Sequence, residues 1–70
     1  MLNRNEVLRE ANRHVVESRQ RVAVVEARTA ELARAGHPIE EASTLLEECR
    51  HTLRLMERHR EIILSRSRQE

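Results

Sequence analysis

Histidine, cysteine and clustered arginine are the residues of this chain whose chemistry reaches beyond packing. His stands at 14, 37, 51 and 59, and a single Cys at 49. If the chain folds back on itself near residue 37, His14 comes beside His59, and Glu17 lies one helical turn from His14. Two imidazoles and a carboxylate make a donor set for a transition metal. The spacing argues against one, because no two His are four residues apart on one helix face; His51 and His59 are eight apart. The expected arrangement is a hydrogen-bonded polar layer of His14, His59 and Arg60 with Glu17 beside it, holding neither metal nor cofactor. His37 reads as a cap or a solvent contact in the turn.

Phosphorylation of a histidine is suggested by one run, His59-Arg60-Glu61. Helical phosphotransfer sites carry an acidic residue directly after the histidine and a proline a few residues on, and both are missing here. Cys49 has Leu46, Leu53 and Met56 around it at helical spacing, which describes a buried small hydrophobe better than a nucleophile. Standing alone it excludes an intramolecular disulfide and fits a reducing compartment. No nucleophile stands beside a base, and no Gly-rich run could cradle phosphate. No catalytic residue is expected, and the chain reads as a non-enzyme.

Arg50, Arg54, Arg58 and Arg60, with Arg66 and Arg68, form a basic run that could meet nucleic-acid phosphates. Interspersed Glu and the lack of any aromatic residue favour a solvated helix face, with nucleic-acid association as the alternative. Membrane insertion would require about twenty consecutive apolar residues, and a leader an unbroken apolar stretch near the N-terminus. The sequence has neither, so a cytoplasmic protein is expected.

The elements that must position these residues are organised by one turn. Gly36 and Pro38 are the sole Gly and Pro, and with His37 they stand midway along 70 residues. A chain with no Phe, Trp or Tyr and 36% charged residues can build only a thin aliphatic core. Every basic residue is Arg and every acidic one Glu, both good helix formers. Helix 1 is predicted over about 3–35, begun by an Asn3 cap with Glu6 reaching back and by Leu2 stapled onto Val7. Its seam runs through Leu8, Ala11, Val15, Ser18, Val22, Val25, Thr29 and Leu32, in alternating steps of three and four.

Gly36 suits the left-handed residue that ends a helix, and Pro38 the first position of the next. Helix 2 is predicted over about 39–65 with Ile39, Ala42, Leu46, Cys49, Leu53, Met56 and Ile63 on one frame, interrupted by Arg60. The run after Leu64 has no apolar residue and should fray. Folding at residue 37 sets Leu32 near Ala42, Val25 near Cys49, Ser18 near Met56 and Ala11 near Ile63, in a rod of roughly 45 Å. Val7, Val16, Ala23, Val24, Ala27, Ala30, Ala33 and Ala35 of helix 1 and Leu45, Leu55, Ile62 and Leu64 of helix 2 lie outside the two frames, so the helices carry more apolar surface than they can cover for each other.

Charge is distributed unevenly along that rod. Its open end, residues 1–21 and 50–68, holds eleven Arg against five Glu, whereas the turn end, residues 22–49, holds two Arg against six Glu. Part of this suits the macrodipole of helix 2. It also suits a second copy laid antiparallel, basic end along acidic end.

His14-Val15, Glu17, Arg21, Gly36-His37, Ala42, Leu45-Leu46, Leu53, Met56 and His59-Arg60 give the chain a pattern that resembles a group of short uncharacterised helical-hairpin proteins from alphaproteobacteria. Their usual Gly-His turn is followed by an acidic residue, where this chain has Pro38. The resemblance implies a bacterial helical protein with a regulatory role and carries no activity. The sequence therefore predicts a single all-α unit over 1–70: an antiparallel, coiled-coil-like two-helix hairpin. It is expected to self-associate into a four-helix bundle, first as a homodimer and at larger size as a tetramer, and to serve as an interaction or regulatory module for itself or another protein.

Overall fold

The computed structural model describes residues 3–68. They form two helices, α1 (Arg4–Arg34) and α2 (Glu40–Arg68), folded against each other as an antiparallel hairpin measuring 54 × 17 × 15 Å. Neither helix is long and apolar enough to cross a membrane.

Asn3 begins α1. Its backbone is extended, its side-chain oxygen accepts the Glu6 amide at 2.9 Å, and its side-chain amide donates to Glu6 Oε1 at 3.3 Å. This is a variant of the expected reciprocal cap, in which Glu6 reaches the Asn3 side chain. The staple from Leu2 to Val7 lies outside the described residues.

Ala35 closes α1 and Gly36 follows at φ 76, the left-handed conformation that a side chain disfavours. The Gly36 amide donates to Ala33 O at 3.1 Å and the His37 amide to Leu32 O at 2.9 Å. These two bonds are the Schellman pattern, and they satisfy carbonyls that the helix end would otherwise leave open.

Two boundaries of α2 differ from expectation. The Ser43 amide donates to Ile39 O at 2.7 Å, which makes Ile39 the capping residue and places Pro38 outside the helix. The Schellman turn uses His37 as its last donor, so the proline stiffens the link and α2 starts on Glu40 and Glu41, whose charge suits a helix N-terminus. At the other end α2 runs on to Arg68 and does not fray at 65. Ser67 is half-buried there, because α1 lies alongside down to Arg4 and extends the seam past the last apolar residue.

Burial follows the frame read from sequence. All eight predicted seam positions of α1 are buried or half-buried, and Ala11, Val15 and Ser18 are buried outright. On α2 the frame continues through Arg60, which is half-buried and occupies its place in the seam. Among the described residues only Val15 has a side chain with no exposure at all. Small α1 residues let the helices approach closely, and the core remains one layer thick.

Candidate functional site

The two long flanks of the seam differ in chemistry. On one flank Arg19 Nη2 meets Glu57 Oε2 at 3.3 Å and Arg50 Nη2 meets Glu26 Oε2 at 3.1 Å. These four residues stand next to seam positions at the spacing where antiparallel helices face each other, so this flank is zipped by charge. The predicted register was read from apolar pairs alone; the ion pairs, formed by longer side chains, span two residues more.

Opposite it lies an apolar flank. Val24 is 67% exposed, Leu45 and Leu55 are each 48% exposed and Ile62 is 44% exposed. Of the other exposed large apolar residues, Val16 is on the ion-paired flank and Ile39 caps α2. Near the turn this flank opens into a groove of about 420 Å³ whose apolar lining includes Val24, Leu32, Pro38 and Leu45.

His14 and His59 both border the apolar flank, one half-buried and one exposed. The predicted polar layer is not formed as described: no hydrogen bond joins His14, His59 and Arg60, and Glu17 turns to Arg13 Nε at 3.7 Å, its neighbour four residues back. The physical reason is their position on the helices, since Arg60 sits in the seam while the histidines flank it. Among the described residues no group of three His, Cys or Glu converges as a metal would require. His37 is exposed in the turn, and Cys49 is a free thiol buried in the seam.

The arginines of α2 do not share one face. Arg50 is held by Glu26, Arg60 is in the seam, Arg66 borders the apolar flank, and Arg54 and Arg58 point outward. A phosphate-binding surface built from all of them would require a ligand to wrap the helix. The cross-helix ion pairs escaped the sequence reading, although Arg19, Glu26, Arg50 and Glu57 each follow or precede a seam residue by one, a signal that pairs them once the register is known. No family model matches the chain, and no curated protein or solved structure matches it.

Proposed function

We propose that this chain is a non-enzymatic helical hairpin that associates with a second copy into a four-helix bundle and acts as a protein interaction or regulatory module. The observation that carries the proposal is the clustering of Val24, Leu45, Leu55 and Ile62 on one flank while ion pairs close the other. Exposed apolar side chains gathered on one face favour association by roughly 25 cal/mol for each Å² they bury. A one-layer aliphatic core in a 70-residue chain leaves the monomer short of buried area, and a second hairpin supplies it. A single buried thiol suits a reducing setting, so the proposed location is the cytoplasm.

Sedimentation equilibrium across a wide concentration range tests this. A mass of twice 8.3 kDa that persists on dilution supports it. A fully helical monomer throughout would direct the same flank to a different protein.

A further inference from the structure

Helix α2 carries a second heptad stripe that the hairpin leaves exposed except at the half-buried Thr52. It lies one residue before each seam position, hence about 100° around the helix, and advances by four and three residues in alternation from Glu41 through Leu45, Leu55 and Ile62 to Arg66. Two seams at about a right angle are what a helix needs at the corner of a four-helix bundle. From this stripe we infer that a second copy of the chain docks on the apolar flank antiparallel, α2 against α2 and α1 against α1, about a two-fold axis crossing α2 between Leu53 and Arg54. The inference rests on the self-association proposed above and specifies its face, direction and register.

The order of apolar residues along the stripe selects this arrangement, and its charges agree with it. A two-fold axis at that level sets Leu45 opposite Ile62 of the second copy, Thr52 opposite Leu55, Glu48 opposite His59 and Glu41 opposite Arg66. Each pair is apolar with apolar or partly apolar, or acid with a basic or imidazole group. The matching stripe of α1 turns about the same level, between Val22 and Ala23, which sets Glu17 opposite Arg28, His14 opposite Glu31 and the alkyl stem of Arg21 opposite Val24. That level is fixed by the Arg19–Glu57 and Glu26–Arg50 pairs, which place Leu53 and Arg54 alongside Ala23 and Val22. Symmetry then repeats every pair on the other side of the axis.

A parallel arrangement, with both turns at one end and α1 against α2, pairs charges but leaves the large apolar residues of α2 against charged or imidazole groups. At the level the cross-helix ion pairs set, it puts Leu45, Leu55 and Ile62 against Glu31, Arg21 and His14. Glu40 and Glu47, although acidic and in the same half of the rod, lie off the stripe and take no part. Glu17 now holds Arg13 within α1 at 3.7 Å and exchanges that exposed partner for the second copy's Arg28.

The test is a charge swap on the full chain, read as the dimer dissociation constant with helicity followed alongside. Glu41→Arg and Arg66→Glu each weaken the dimer by about tenfold, because each change sets like charges together twice across the axis. The double variant regains the original affinity. Leu55→Glu, near the axis, weakens association by at least about a hundredfold, while Val16→Glu on the ion-paired flank leaves it unchanged. A dimeric parent whose double variant stays weak, or which dissociates with Val16→Glu and survives Leu55→Glu, overturns the face and register while self-association stands. A parent that is monomeric at every concentration overturns self-association itself.

Discussion

The two flanks of this hairpin are built from the same helices and receive opposite treatment. One places Arg19, Glu26, Arg50 and Glu57 where the helices face each other and closes with two ion pairs; the other keeps Val24, Leu45, Leu55 and Ile62 in water. Exposed ion pairs contribute little stability, so the zipped flank chiefly fixes register. The apolar flank is left in water, and the proposed second copy would cover it. Where a small helical chain places its charges thus separates the side its own helices close from the side they leave exposed.

The sharpest way to break this contrast is to charge each flank in turn. Leu55→Glu is expected to weaken self-association by at least about a hundredfold with helicity kept at high concentration, and Val16→Glu to change it less than twofold, both read by sedimentation. A comparable loss from both variants would mean that the flanks are not distinct.

Below the flanks, the seam itself sets the hairpin's own stability. Val15 is fully buried, and Val15→Ala should cost about 2 kcal/mol in urea unfolding at fixed protein concentration. Gly36→Ala tests the turn separately. A methyl group at Gly36 meets nothing within 4 Å, so its cost is the left-handed backbone alone, about 1 kcal/mol. The smallest effect belongs to the zipped flank: Arg19→Ala should cost no more than about 0.5 kcal/mol, because both members of its pair are well exposed.

Much of the fold was legible because its signals are local. Asn3 with Glu6, Gly36 in the left-handed region and the alternating steps from Leu8 to Leu32 depend on neighbours in sequence, and they stand in the structure as read. The start of α2 was placed one residue early because Pro38 fits either just inside or just outside a helix, and only the Ser43 bond to Ile39 decides between them. The end of α2 was placed too early because Ser65 to Arg68 look polar in isolation, whereas half-burial of Ser67 depends on α1 lying beside it. The polar layer around His14 was drawn from proximity along the rod, with no means of knowing that His14 and His59 border the seam while Arg60 lies in it. The flanks required the register, and the register required the fold.

Sedimentation equilibrium of the unmodified chain, with helicity recorded at each concentration, tests self-association most directly. A helical species of twice 8.3 kDa, dissociating only at high dilution, is the predicted result. A single 8.3 kDa species, fully helical at every concentration, would contradict it.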